Sequence, residues 1–271
     1  MRVCVIQMNS VNDKAANLAQ AGSLIERAVA QDRPDLVLLP EVWSFQGGTA
    51  EERQAAAEAV PGGEAYSRLA ELAALHRVTL HGGSFLERGP ERLFNTSVAF
   101  DRQGREIARY RKLHLFDVVT PDGREYRESA LVGRGEDVVT YEAEGARIGC
   151  SICYDLRFGE LYRRLAAAGA QILMVPAAFT LQTGKDHWEV LLRARAIETQ
   201  CYVVAAAQTG AFPAGKDTRQ NWGHSMIVDP WGKVLVQMAD GPGFATARLD
   251  LGYLERVRTM IPVHRHRVLP G

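Results

Sequence analysis

The chain opens with Arg2-Val3-Cys4-Val5-Ile6-Gln7-Met8, a run of apolar and β-branched side chains that reads as a strand. Leu18, Ala21, Leu24, Ile25 and Ala28 then recur at helical spacing, so residues 13–31 are expected to form an amphipathic helix. Pro34 and Asp35 punctuate the chain before Leu36-Val37-Leu38-Leu39, a continuous apolar run of the kind a sheet buries on both faces. Pro40 closes the run and Glu41 follows directly. The same logic repeats downstream. A helix is expected over 64–76 with Leu69, Leu72 and Ala73 inward, and then a Gly-rich strand over 78–85. Its partner is expected over 96–101, across a loop at 87–95, and Asp101-Arg102-Gln103-Gly104 turns the chain into a strand at 106–110.

Strands over 137–142 and 146–153 meet at Glu144-Gly145. A helix over 160–168 follows, with Gly169 as its C-cap, and Gln171–Val175 is an apolar strand ended by Pro176. Residues 188–199 read as a long helix, and 202–207, 225–229, 233–238 and 243–249 as strands. Residues 209–222, with Pro213, Gly215 and Lys216, read as a loop. Short apolar runs alternating with amphipathic stretches signal layered α/β construction. No Pro-, Ser- or Gly-rich stretch is long enough to serve as a linker between separate units, so residues 1–271 are expected to form a single domain.

Charge and cysteine usage then exclude several classes. Thirty-two basic and 32 acidic side chains balance to a formal net charge of zero, with no basic stripe, so nucleic-acid binding is not expected. The short run His264-Arg265-His266-Arg267 reads as a solvated tail or a subunit contact. The N-terminus goes straight into a strand with no signal-peptide pattern, and no apolar run nears the roughly 18–20 residues of a membrane span, so no membrane association is expected. Cys4, Cys150, Cys153 and Cys201 are too few for a disulfide framework in a chain this long. They read as reduced thiols in a cytoplasmic protein, with at least one available for catalysis.

The sharpest local signal is Gly149-Cys150-Ser151-Ile152-Cys153-Tyr154-Asp155-Leu156-Arg157-Phe158. An apolar strand runs into a polar turn and then a helix, which sets Cys153 at a strand-to-helix elbow. Neighbouring N–H groups there can bind an oxyanion and depress the thiol pKa. A buried structural Cys fits the same residues. A Cys-x-x-Cys metal or redox pair fits poorly, because residues three apart on a strand face opposite ways and Cys150 should point away from Cys153. A thiol nucleophile needs a base, and none of the seven His sits in a recognisable cysteine-protease context. Glu41 emerges from a buried strand at the rim of a sheet, and a partly desolvated carboxylate suits proton transfer near neutral pH. A surface Glu is the other reading. Lys112, in Arg109-Tyr110-Arg111-Lys112-Leu113-His114-Leu115-Phe116, is either a solvated hairpin exit or an ammonium drawn inward to favour the thiolate and hold an oxyanion.

Leu-Pro-Glu41, Arg-Lys112-Leu-His-Leu and Cys153-Tyr-Asp-Leu-Arg-Phe-Gly-Glu-Leu-Tyr resemble, in order, the three signature segments of the nitrilase or carbon–nitrogen hydrolase superfamily. The resemblance runs from the first strand to Ile261-Pro262-Val263. It implies an α/β fold (α+β by some schemes) built as a four-layer αββα sandwich. It also implies a catalytic Glu–Lys–Cys triad on Glu41, Lys112 and Cys153, with Glu128 orienting the lysine. The mechanism it implies is amide hydrolysis through a Cys thioester without cofactor or metal, the oxyanion held by Lys112 and the Tyr154 N–H. Pairing into a homodimer across the helices at 160–168 and 188–199 is implied as well.

Residues 187–208 and Gly223–Gly232 resemble the Nit branch, and within it the group of deaminated glutathione amidases. The expected substrate is therefore a small-molecule amide, deaminated glutathione, cleaved to 2-oxoglutarate and cysteinylglycine. Arg157 would meet the 2-oxo acid carboxylate. The 209–222 segment and Lys185-Asp186 depart from that branch. The alternatives are an ω-amidase acting on 2-oxoglutaramate, a carbamoylase or a nitrilase, and, outside enzymes, an inactive binding module of the same fold. His187-Trp188-Glu189 matches the His-x-Glu of zinc deaminases, but the Pro-Cys-x-x-Cys that should follow is absent.

Overall fold

The computed structural model describes residues 1–268; residues 269–271, the end of the span expected to form one domain, lie outside the described residues. One sheet contains β1 (Arg2–Gln7), β2 (Leu36–Leu38), β3 (Thr79–His81), β4 (Phe85–Arg88), β5 (Leu93–Phe100), β6 (Glu106–Arg111), β9 (Val132–Gly133) and β18 (Gly243–Arg248). A second contains β10 (Thr140–Ala143), β11 (Ala146–Cys150), β12 (Ile172–Ala177), β13 (Tyr202–Ala207), β16 (Met226–Val228) and β17 (Val234–Gln237). Two hairpins stand outside these sheets: β7 (Asp117–Val119) with β8 (Glu125–Arg127), and β14 (Thr209–Ala214) with β15 (Asp217–Trp222). The helices are α1 (Lys14–Asp32), α2 (Ala50–Ala56), α3 (Glu64–His76), α4 (Gly159–Ala167), α5 (Leu181–Thr199), α6 (Leu251–Met260) and α7 (Val263–His266).

Side-chain alternation on the strands builds four layers, αββα. In β1 and β2, Val3, Val5, Leu36 and Leu38 pack with Ile148, Met174 and Val204 of the second sheet. Their neighbours Cys4, Ile6, Val37 and Leu39 face the other way, against Leu18, Leu24 and Ile25 of α1 and Leu69 and Leu72 of α3. Both faces of the first sheet are therefore buried, and that is why these strands read as unbroken apolar runs. On the outer side of the second sheet lie α4 and α5, contributing Leu161, Leu165, Trp188 and Leu192. Each such side chain stabilises the fold by about 1.5–3 kcal/mol on burial, and Leu38→Ala would cost about 2–5 kcal/mol. Asp13 caps α1 by accepting from the Ala16 N–H at 3.0 Å.

Several expected elements have other bounds. The strand expected over 78–85 is broken: β3 and β4 are separated by Gly82-Gly83-Ser84, because the chain doubles close to Pro40 there. The strand expected over 146–153 ends at Cys150, leaving Cys153 beyond the ladder. Pro176 does not end β12, which runs on to Ala177. The helix expected from 188 begins at Leu181, capped by Thr180, whose hydroxyl accepts from the Thr183 N–H at 3.3 Å. The segment 209–222 is a paired hairpin and not a loop. Gly215, at φ +63°, makes its two-residue turn with Lys216, and Pro213 is tolerated because its backbone faces the outer edge of a two-stranded ribbon, where only its carbonyl is engaged, by the Gly48 N–H.

Candidate active site

Glu41, Lys112 and Cys153 each follow the C-terminal end of a strand: β2, β6 and β11. The loop after β3 clamps the segment around Glu41. The Ser84 N–H donates to Pro40 O at 3.1 Å, and the Val42 N–H donates to Ser84 Oγ at 3.1 Å. A methyl on Gly83 (φ +59°) would fall 2.0 Å from Pro40 O, so only glycine permits this approach. The Lys112 N–H donates to Asn95 O at 2.9 Å and Lys112 O accepts from the Gly135 N–H at 2.8 Å, which holds the residue beyond the end of β6.

Cys153 has a left-handed backbone, φ +48°. That conformation costs a non-glycine residue about 1–3 kcal/mol and persists only when its surroundings impose it. The imposing group is Asp155, which is fully buried. It accepts from the Ile152 N–H at 2.9 Å, the His114 N–H at 3.0 Å and the Tyr110 hydroxyl at 2.6 Å, and His114 Nδ1 lies 2.7 Å away. Burial, then the Asp155 carboxylate, push the Tyr110 pKa well up, so the phenol remains a donor. His114 also stacks on Phe158 with ring centroids 3.7 Å apart. One carboxylate thereby ties the lysine segment to the cysteine elbow.

At the centre is a closed charge network. Lys112 Nζ lies 2.9 Å from Glu41 Oε1 and 2.9 Å from Glu128 Oε2. Asn95 Nδ2 donates to Glu41 Oε1 at 2.8 Å and to Glu128 Oε1 at 3.2 Å. Glu41 Oε2 accepts from the Ala178 N–H at 2.9 Å, and Glu128 Oε2 from the Phe116 N–H at 2.7 Å. Lys112 is 2% exposed and Glu41 4%, so these charges survive burial only because each is paired and hydrogen-bonded, and Cys153 beside them is 7% exposed. Burial works against the Lys112 ammonium, but Glu128 and Glu41 outweigh it and raise its pKa well above the usual value. The lysine stays charged.

For the thiol, the expectation of a depressed pKa is corrected. Burial first, and the Glu41 carboxylate second, push Cys153 well above the ordinary thiol value, with Lys112 opposing. The elbow leads into a single 3₁₀ stretch, Cys153–Arg157, before α4 begins. The thiol is therefore protonated, with the Glu41 carboxylate near enough to oppose its ionisation. The Tyr154 N–H sits in the first turn of that stretch, where N–H groups have no intrahelical partner. Cys150 packs in the core with its pKa pushed up to about 12 by burial, and all four cysteines are free. Among the described residues, no three His, Cys, Asp or Glu side chains cluster as metal ligands.

A pocket of about 640 Å³ opens above this network, lined by Glu41, Lys112, Glu128, Cys153, Tyr154 and Arg157. Each residue expected from the sequence to take part in catalysis or substrate binding thus lines one cavity. Arg157 places its guanidinium 5.5 Å from the Phe179 ring centroid and 5.9 Å from that of Tyr154, with Nη1 3.2 Å from His187 Nδ1. The two hairpins supply much of the rim, Tyr126 from β8 and Phe212 and Arg219 from β14 and β15. Sequence reading missed Asn95, Asp155 and Arg219. Asn95 had one available signal, since an amide is out of place in a buried strand such as Leu93–Phe100.

Comparison with known proteins follows the same lines. Residues 2–259 match the family model described as carbon-nitrogen hydrolase. A deaminated glutathione amidase from Synechocystis sp. (strain PCC 6803 / GT-S) is 43% identical over 268 residues, covering 97% of this chain and 96% of the relative. The crystal structure of the C. elegans NitFhit protein superposes with a TM-score of 0.90 at 41% identity; it covers 98% of this chain, which spans only 64% of that one. Saccharomyces cerevisiae Nit3, a member of branch 10 of the nitrilase superfamily, gives a TM-score of 0.87 at 31% identity, covering 97% of this chain and 94% of that one.

Proposed function

The chain belongs to the carbon–nitrogen hydrolase family and is a hydrolase acting on amides; from that premise we propose that Cys153 is its nucleophile, Glu41 its general base, Lys112 its oxyanion stabiliser and Glu128 the residue that orients Lys112. The supporting observation is the buried ammonium 2.9 Å from both carboxylates, beside a protonated thiol at the pocket floor. Glu41 takes the thiol proton as sulfur bonds to the amide carbon, and the carbonyl π pair moves onto oxygen. Lys112 and the Tyr154 N–H donate to that oxygen. Collapse expels the amine, which receives the proton from Glu41 and leaves a thioester. Water, deprotonated by Glu41, adds to the thioester and releases the acid, and the thiolate recovers its proton.

Charge bookkeeping gives this arrangement its advantage. Before attack, Lys112 faces two carboxylates; after it, Glu41 is neutral and the oxyanion is negative. The ammonium faces two anions throughout, so charge migrates without reorganising the site, which is the physical basis of electrostatic catalysis. Removing one such donor in comparable sites costs about 2.7–4 kcal/mol.

The substrate we infer is deaminated glutathione, cleaved to 2-oxoglutarate and cysteinylglycine, as the name of the Synechocystis relative suggests. Arg157 is the cation for the 2-oxo acid carboxylate. A volume of about 640 Å³ falls within the range of pockets that enclose small molecules of this size. The deciding experiment compares kcat/KM on deaminated glutathione, 2-oxoglutaramate, an N-carbamoyl amino acid and a nitrile. A preference for 2-oxoglutaramate above about tenfold, roughly 1.4 kcal/mol in transition-state binding, makes the protein an ω-amidase instead.

The outer face of α5 exposes Val190 and Ile197, which supports pairing with a second copy through α4 and α5 as a homodimer. A light-scattering mass near the 29.9 kDa monomer would count against it. Among the described residues no helix is long and apolar enough to cross a membrane. Four free thiols fit a reducing compartment, and we assign the protein to the cytoplasm on that ground.

A further inference from the structure

Three aromatic rings form a row along the pocket wall. Tyr154 touches Phe116 edge-on with centroids 5.1 Å apart, and Phe116 touches Tyr126 at 5.2 Å. A guanidinium closes each end of the row. Arg157 sits 5.9 Å from the Tyr154 centroid, and Arg219 sits 4.3 Å above that of Tyr126. All five residues line the pocket. All but one of the acids around the Arg219 end are engaged elsewhere, the exception being Glu51, which lines the pocket and acts on Arg53. Glu125 pairs with Arg127 at 2.5 Å, Asp122 with Arg124 at 3.4 Å, and Glu52 closes the capping box of α2 with Thr49. Arg219 Nε is shut away from solvent without a partner among the described residues. Arg53, exposed on the pocket rim, is pushed below its usual pKa by desolvation and then by the neighbouring Arg219 cation, with Glu51 opposing.

Two cations share this wall against one nearby carboxylate, Glu51, and the unused buried donor of Arg219 is unfavourable until an acceptor joins it. Their support is firm. Asn221 Nδ2 donates to Gln46 Oε1 at 3.0 Å, the Gly48 N–H to Pro213 O at 3.0 Å, and Arg124 Nη1 to Thr218 O at 3.0 Å. The β14–β15 hairpin is therefore a fixed wall that carries Arg219 into the pocket.

We propose that Arg219, seconded by Arg53, is a carboxylate-binding subsite for the leaving-group side of the substrate, selecting amides whose departing amine carries a terminal carboxylate over primary amides. This rests on the proposed amidase reading, in which Arg157 holds the acyl-side carboxylate. The two ends of the aromatic row then match the two ends of a dianionic substrate. A planar guanidinium meets a carboxylate with two parallel N–H donors, so charge alone does not replace it.

The test uses three amides of one acyl group, 2-oxoglutarate, with cysteinylglycine, cysteinylglycine amide or ammonia as the leaving amine. The wild-type enzyme should favour the free-acid arm over its carboxamide by about 10- to 100-fold in kcat/KM, the usual worth of a charge-assisted contact. In Arg219→Gln that ratio should collapse towards one, through KM, while kcat/KM on 2-oxoglutaramate stays within about twofold. Arg53→Gln should give a smaller fall, and thermal unfolding should be unchanged in both variants. If the wild type cleaves the cysteinylglycine amide and Arg219→Gln leaves the ratio intact, the subsite is overturned and the amidase reading stands. If the wild type ignores the cysteinylglycine substrate and turns over 2-oxoglutaramate, the substrate reading fails and takes the subsite with it.

Discussion

The floor and the rim of the pocket are built on opposite plans. On the floor, every charge has a partner: Lys112 between two carboxylates, Asn95 bridging both, and Asp155 holding lysine segment and cysteine elbow together. Its residues follow strands of both sheets, so two packed layers hold the geometry. The rim is supplied largely by hairpins that stand outside those sheets, and it carries Arg157 and Arg219 without a carboxylate partner among the described residues. A paired, buried network sets up one reaction. On the reading proposed above, the cations around the rim bind the substrate. The same fold can change what it binds by altering the hairpins and leave the chemistry untouched.

The strongest way to break that contrast is at the floor. Cys153→Ala should lower kcat by about 10⁴-fold or more while thermal unfolding shifts little, because only a sulfur at the pocket surface is lost. Stoichiometric iodoacetamide should label Cys153, the one of the four that lines the pocket, ahead of Cys4, Cys150 and Cys201. Full activity in the alanine variant would remove the thiol from the mechanism.

Next in size is Glu128→Gln. It removes the carboxylate that contributes most to raising the Lys112 pKa. We expect kcat to fall by about 10²-fold. The alkaline limb of the pH–rate profile should move to lower pH, since a less stabilised ammonium deprotonates earlier. A purely structural role would change kcat without moving that limb.

At the rim, Arg157→Lys keeps the charge and loses the planar fork, and kcat/KM should drop by about tenfold through KM. A drop carried by kcat instead would place Arg157 with the floor.

The smallest effect on activity comes from His81, between the sheets. Its Nδ1 lies 2.9 Å from the Tyr141 hydroxyl and its Nε2 2.8 Å from Ser97 Oγ, and burial lowers its pKa to about 3. The native protein holds it neutral, whereas the unfolded chain takes a proton below about 6.5. Stability contributed by the neutral ring is therefore complete above that value and is lost as pH falls towards about 3, by up to ~1.4 kcal/mol per pH unit. His81→Gln should flatten this acid limb in denaturant titrations and leave kcat at pH 7 unchanged. An unaltered limb would show that other groups govern acid unfolding.

Read alone, the sequence already determined layered α/β construction and the three segments that carry the motif residues, while the αββα order came from the family resemblance. Helical spacing and continuous apolar runs are local signatures of burial, so the inward Leu24, Leu69 and Leu72 and the doubly buried run 36–39 were legible. Which strand residues face which layer was not, because a run apolar on both faces shows no alternation. Glu41, Lys112 and Cys153 stood out through three motif segments occurring in order, whereas the local pattern around each also fits a structural or surface role. Tertiary structure alone decided the rest. The Asp155 clamp joins residues 41 and 45 positions apart, and the Ala178 N–H reaches Glu41 across 137. Gly83 matters only because Pro40 O lies against it. The 209–222 segment looked like a loop because its pairing leaves no apolar alternation, and the local chain does not show that it brings Arg219 over Tyr126. The protonation of Cys153 was misjudged for a related reason. A local motif shows a helix start nearby, but the thiol responds to its desolvation and to the charge of a carboxylate more than a hundred residues away, and these outweigh it.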